Sequence, residues 1–189
     1  MAYHGVKFST RFIGETVPCY NEINDLIYWC NTFAEKGLAP LHPEGSYGNL
    51  SIRVKDGILI TRTSLDLNSK LSINDFVLVT GCNLDCFITT CIGTATPSSE
   101  TPIHWKLYFL RPDINAIFHG HHDELLQKGL LLNIPETQRE QPYGSLELVH
   151  EVELLANFNF FNMKNHGFIS LGKDMLTAGE QALAQISLL

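Results

Sequence analysis

An apolar segment, Ile114-Asn115-Ala116-Ile117-Phe118, runs directly into His119-Gly120-His121. The segment reads as a strand, and in a strand residues i and i+2 point to the same side. His119 and His121 therefore aim both imidazoles at one point from positions about 6–7 Å apart along the chain, close enough to share a metal ion. Two more pieces lie far away in sequence. Ser98-Ser99-Glu100 ends nineteen residues before His119, and the His166 of Asn165-His166-Gly167 follows His121 by forty-five. Three neutral histidines with a fourth position open is how a catalytic zinc ion is held, whereas structural zinc closes its shell with four protein ligands, usually including Cys. A carboxylate beside such a metal, here Glu100, is a natural proton shuttle.

Size and charge narrow the classes of partner. The 189 residues suit a single domain spanning 1–189, large enough to bury a core without disulfide staples. A hydrophobic content of 44% with a mean hydropathy of +0.01 describes a soluble globular chain. No apolar run approaches the roughly 18 residues of a membrane span. The start, Met1 to Lys7, lacks the charged and apolar regions of a signal peptide, so a cytoplasmic location is expected. A net charge of −7 argues against nucleic acid or an anionic membrane as the main partner. It leaves room for a local pocket that takes a small anion. The five cysteines (Cys19, Cys30, Cys82, Cys86 and Cys91) form no C-x-x-C pair, and they read as buried thiols of a cytoplasmic protein rather than as metal ligands.

Periodicity organises the rest of the chain. Residues Asn21 to Lys36 carry apolar side chains at helical spacing and end at Gly37. Leu50–Val54 and Ile58–Thr61 flank Lys55-Asp56-Gly57, a strong hairpin signal. Strands are expected at 76–80, 87–92, 114–121, 160–163 and 168–171. Helices are expected from Ser98/Ser99 to about Arg111, with Pro102 in the first turn, at 122–131, from Ser145 as N-cap to about Asn157, and at 173–188. Strands that come in hairpins, interrupted irregularly by helices, favour a largely antiparallel mixed sheet over a doubly wound parallel one.

Other H-x-H families fit less well. His119-Gly-His121-His122-Asp123-Glu124 nearly matches the H-x-H-x-D-H of metallo-β-lactamase-type hydrolases, but Glu124 stands at the final histidine. In cupins the glutamate and glycine after the pair fall later than Glu124 and Gly129 do here. The fuller pattern resembles the class II aldolase/adducin family, closest in its motifs to the L-fuculose-1-phosphate aldolase branch. Gly48-Asn49-Leu50-Ser51-Ile52-Arg53 is similar to the family's G-N-x-S-x-R loop, and Ile58 to Ser64 to its I-L-I-T-P-T/S-G segment. Pro97-Ser98-Ser99-Glu100, then His104, then Arg111-Pro112-Asp113 ahead of the histidine pair follow in family order. Tyr143-Gly144-Ser145-x-Glu147-Leu148 and Asn165-His166-Gly167 complete it.

The resemblance implies a three-layer α/β/α fold with a central, largely antiparallel sheet. It implies a zinc site of His119, His121 and His166, one ion per subunit, with Glu100 as the acid/base. It implies a substrate-phosphate pocket of Asn49, Thr63, Ser64, Ser98 and Ser99. The implied reaction is cleavage of a ketose 1-phosphate to dihydroxyacetone phosphate and an aldehyde through an enediolate, with sugar-phosphate epimerase, dehydratase or non-catalytic binding module as alternatives. The family is commonly a homotetramer with sites between neighbours. The sequence departs from the pattern at Arg62 and at Ser64-Leu65, which stand where the phosphate loop usually has Pro and Gly. The 132–143 stretch is short, and Tyr143 and Tyr108 match the family's catalytic tyrosine by residue type alone.

Overall fold

The structure is a computed structural model that describes residues 6–189. In chain order the elements are β1 (Ser9–Gly14), α1 (Ile23–Glu35), β2 (Leu41–His42), β3 (Gly45–Ser46), β4 (Asn49–Val54), β5 (Gly57–Thr61), β6 (Phe76–Asn83), β7 (Ile88–Ile92), α2 (Thr101–Leu110), β8 (Ala116–Gly120), α3 (Asp123–Lys128), α4 (Leu146–Glu153), β9 (Phe160–Met163), β10 (Gly167–Gly172) and α5 (Met175–Ile186). Eight strands make one sheet in the order β1-β7-β6-β5-β4-β8-β10-β9, while β2 and β3 pair with each other as a separate ribbon. Within the sheet only β1 and β7 run parallel; the remaining pairs are antiparallel.

Alternation along the strands divides the core in two. In β5, Leu59 faces the layer of α1 and α5, where it joins Trp29, Phe33, Phe118, Phe168 and Ala178. Its neighbours Ile58 and Ile60 face the layer of α2 and α4, with Ile103, Leu107, Val149 and Val152. The result is the three-layer α/β/α arrangement expected from the sequence. The central β8 is covered on both faces and every residue from Ala116 to Gly120 is buried, which is why it reads as a nearly continuous apolar run. Phe118 packs edge-on against Phe33, with ring centroids 5.4 Å apart. Truncating such a buried ring to alanine costs about 3–5 kcal/mol.

Several expectations shift. The strand expected over 114–121 spans only Ala116–Gly120, and His121 lies just past its end, donating its N–H to the Leu38 carbonyl at 2.8 Å. The helices expected to reach Leu131 and Asn157 stop at Lys128 and Glu153. Strand β1 and the β2–β3 ribbon were not expected. β1 is mostly exposed along the sheet edge and carries no period-two burial pattern. Its ladder depends on a parallel partner more than seventy residues away and leaves no local signature. Among the cysteines, Cys30 and Cys91 are buried, whereas Cys19 and Cys86 are exposed free thiols rather than core residues.

Candidate metal centre

Register brings the site together. β4 and β8 pair so that Asn49 stands opposite His119, and β10 pairs on the other side of β8 so that Phe168 stands opposite Gly120. His166 precedes β10, and Glu100 occupies the N-cap position of α2. Backbone must approach backbone closely here. A Cβ on Gly48, whose φ is +90°, would lie 2.7 Å from the His119 carbonyl oxygen, and one on Gly167 would lie 2.7 Å from His119 Cε1. Glycine at 48 lets the chain pass the β8 backbone, and glycine at 167 leaves room for the His119 imidazole.

His119 is fully buried. Its Nδ1 lies 2.8 Å from the Phe168 carbonyl oxygen. A carbonyl only accepts, so Nδ1 carries the proton and Nε2 of the neutral ring presents its lone pair. That lone pair faces His121 Nε2 at 3.0 Å and Glu100 Oε2 at 2.9 Å, while His166 Nε2 lies 2.9 Å from Glu100 Oε1. One nitrogen from each of His119, His121 and His166 falls within 4.8 Å of the others. Glu100 Oε1 is buried without a well-directed donor, the nearby His166 ring notwithstanding. Three imidazole nitrogens, one orientated by a backbone carbonyl, beside a buried carboxylate oxygen form a donor set that fits a divalent cation of the zinc type.

The electrostatics agree with these roles. Burial alone would raise the Glu100 carboxyl, but its electrostatic and hydrogen-bond contacts with the His119 and His166 rings outweigh that and hold the group well below the usual carboxylate range. Burial pushes His121 well below the ordinary imidazole value, and His119 and His166 push it further, so its ring is a neutral donor. Asn49 Nδ2 donates to Glu100 Oε2 at 3.0 Å and fixes the carboxylate plane.

Beneath the site lies a buried polar layer that bolts α2 to β4. His104 Nδ1 lies 2.7 Å from Ser51 Oγ, and Tyr108 donates its hydroxyl to the Ser51 carbonyl at 3.0 Å. Burial lowers His104 to about 3, so it is neutral. Arg53 donates to the carbonyls of Tyr108 and Arg111. Tyr108 thus belongs to the floor beneath the site and not to the cleft, which removes it as a candidate for a tyrosine acting on substrate. Tyr143 does reach the cleft.

The cleft has a volume of about 440 Å³, and Asn49, Thr63, Ser64, Ser98 and Ser99 all line it. So do Glu100, His121 and His166. Ser64 adopts the left-handed conformation, φ 53°, that glycine takes more readily. The departure at Arg62 compensates, because its guanidinium donates to the carbonyls of Thr63 and Ser64 and pairs with Asp75 at 3.2 Å. The Ser98 N–H is already engaged and does not face the cleft as a donor. It donates to the Thr61 carbonyl, and the Ser98 Oγ accepts from the Glu100 N–H. Tyr47 and His42 also line the cleft, and no periodicity or turn signal marks either of them in the sequence. Only the adjacency of Tyr47 to Gly48-Asn49 pointed toward it.

Residues 24–185 match the family model of the class II aldolase and adducin N-terminal domain. The chain belongs to the class II aldolase/adducin family. An L-fuculose phosphate aldolase of Methanococcus maripaludis is 34% identical over 148 residues, covering 71% of this chain and 77% of its own. A methylthioribulose-1-phosphate dehydratase of Yersinia enterocolitica is 35% identical over 101 residues, 53% of this chain and 43% of that one. A solved L-fuculose 1-phosphate aldolase shares the fold, with a TM-score of 0.73 at 20% identity over 90% of this chain and 84% of that one. Aldolase and dehydratase relatives stand at nearly equal identity, so membership alone does not choose between them.

Proposed function

We propose that this family member is a zinc-dependent aldolase that cleaves a ketose 1-phosphate to dihydroxyacetone phosphate and an aldehyde. The observation that carries this reading is Glu100, a buried carboxylate 2.9 Å from both His119 Nε2 and His166 Nε2, at the base of a cleft lined by Ser98, Ser99, Thr63, Ser64 and Asn49. His119, His121 and His166 would hold one ion per subunit. When bound, the ion supplies electrophilic stabilisation of the negative charge that develops on neighbouring substrate oxygens.

The chain's own residues do the rest. In the condensation direction the anionic Glu100 takes the proton from C3 of dihydroxyacetone phosphate. In cleavage the C4 hydroxyl gives up its proton as the C3–C4 bond breaks and C4 becomes the aldehyde carbon. The bond's electron pair stays with C3, and Glu100, protonated in turn, delivers one proton to C3, so that it ends ionised as it began. Asn49 holds one carboxylate oxygen by its hydrogen bond to Oε2 and leaves Oε1 for this transfer. The hydroxyls of Thr63, Ser64, Ser98 and Ser99 receive the phosphate, near the start of α2, where the helix dipole favours an anion. A glutamate at position 100 favours the aldolase branch, since epimerase-like relatives resemble a pattern with Asp there. The reading includes a cytoplasmic homotetramer with sites between neighbours, and five free thiols suit a reducing compartment.

A dehydratase on the same scaffold is the second reading, favoured by the 35% identity to the methylthioribulose-1-phosphate enzyme. A screen of ketose 1-phosphates with metal-loaded protein, coupled to detection of dihydroxyacetone phosphate, separates the two. Release of dihydroxyacetone phosphate from at least one ketose supports the aldolase. Loss of water from methylthioribulose 1-phosphate, with no dihydroxyacetone phosphate from any ketose, replaces it with the dehydratase.

A further inference from the structure

The two histidines of the H-x-H pair are orientated by different means. The His119 ring is fixed by its Nδ1 bond to the Phe168 carbonyl. Among the described residues no hydrogen bond fixes His121 Nδ1; its one hydrogen-bond contact is Nε2 to Nε2 with His119. Past the end of β8 the His121 backbone is held by its N–H bond to Leu38, so the orientation of its ring rests on packing against other rings, two of them the proposed ligands His119 and His166, with centroids 4.7 and 5.2 Å away. The Tyr47 ring meets it from outside that set, at 5.0 Å between centroids and tilted by 33° between planes. Tyr47 is itself well placed. Its ring lies 4.4 Å from that of His42 at 35°, and its N–H donates to the Pro40 carbonyl at 2.9 Å. Ser46, beside it, donates to the Leu65 carbonyl at 2.8 Å and accepts from the Leu67 N–H. Gly45, at φ +138°, approaches the Ser64–Leu65 backbone so closely that a Cβ would lie 2.8 Å from the Ser64 carbonyl carbon. The β2–β3 ribbon is thus anchored to the 63–67 loop and delivers one aromatic face to one metal ligand.

We infer that Tyr47 is a positioning residue of the metal centre, holding the His121 imidazole in its ligating orientation by tilted ring packing where its partner His119 uses a hydrogen bond. The inference rests on the three-histidine metal site proposed above. Metal-orienting partners outside the ligand shell are typically worth about 10–100-fold in affinity, and aromatic rings with centroids about 4.5–7 Å apart attract one another without any polar contact. The Tyr47 hydroxyl has no part in this role.

The test is titration of the metal-stripped protein with Co2+, reading both the dissociation constant and the visible d–d bands, for wild type, Tyr47→Ala, Tyr47→Leu and Tyr47→Phe. Wild-type binding that disappears in His119→Ala establishes the site itself; a wild type that binds no Co2+ would remove the metal site, and this inference with it. Given a working site, Tyr47→Ala and Tyr47→Leu should weaken Co2+ binding by about tenfold or more and alter the band shape, with far-UV dichroism unchanged. Tyr47→Phe should restore both affinity and spectrum. The Leu variant keeps apolar bulk and so preserves the test if Ala disturbs the ribbon. Wild-type affinity and spectrum in folded Tyr47→Ala or Tyr47→Leu would overturn the assignment. So would a Phe variant as weak as Ala, because the effect would then lie in the hydroxyl.

Discussion

The floor of the site and its mouth are built on different principles, although His119 and His121 stand only two residues apart. The floor is a buried hydrogen-bonded layer: His119 on the Phe168 carbonyl, Asn49 on Glu100, and His104 on Ser51, all of them buried. The mouth relies on ring packing and on loop conformation, with Tyr47 tilted against His121 and Ser64 in a left-handed turn stapled by Arg62. A buried polar network is costly to break, because each group left behind has no water to turn to. A tilted ring contact beside a cleft yields more gently. Rigid placement therefore belongs to the buried carboxylate and the groups around it, and adaptable contact to the residues at the cleft mouth.

Breaking the floor should have the largest effect. His119→Ala removes one proposed ligand and strands the Glu100 carboxylate in the interior, so metal should be lost and turnover should vanish. Uncompensated buried charge of this kind costs about 3–5 kcal/mol of stability, readable by urea denaturation. One tightly bound metal per chain in that variant would refute the ligand set. Glu100→Gln is next. It keeps shape but cannot accept the proton, so kcat should fall by about 10²–10⁴-fold with metal content near wild type. Unchanged turnover would move the acid/base role elsewhere.

At the mouth the effects should shrink. Ser99→Ala should weaken binding of a phosphorylated ketose by about 1–3 kcal/mol and reduce the preference over its unphosphorylated form, measured as the ratio of the two KM values. A preference equal to wild type would place the phosphate away from Ser99. The smallest effect belongs to His122, the neighbour of the pair. Its Nδ1 accepts from the Leu125 N–H at 3.3 Å as the N-cap of α3. His122→Ala should cost about 1 kcal/mol of stability and no metal; a folded variant that loses its metal would contradict this division of labour.

What the sequence made legible follows the same boundary. The H-x-H pair, the Asp56-Gly57 hairpin and the Ser145 cap are local signals, since one segment's spacing and turn chemistry suffice to place them. The structure accordingly shows β4 and β5 paired around that turn and Ser145 accepting from Leu148. Glu100 and His166 became legible only in combination with the pair and through family order. Tyr108 and Tyr143 were indistinguishable by residue type, because a phenol reads alike whether it faces a cleft or a buried serine. Strand β1 and the Tyr47 ribbon depend on partners distant in sequence or on ring geometry, and neither leaves a periodic trace.

Asn49, Glu100, His119 and His166 are carried by β4, the start of α2, β8 and the turn before β10, and no stretch of chain shorter than most of the sheet brings them together. An ion bound there recognises the folded state alone, so its binding energy is also folding energy. At a free ion concentration one hundred times the dissociation constant it would add about 2.7 kcal/mol, a substantial share of the roughly 5–15 kcal/mol that holds a typical domain together. With such an ion bound, the melting temperature of this chain would become a function of metal supply, and in a metal-starved cell its abundance would fall along with its activity.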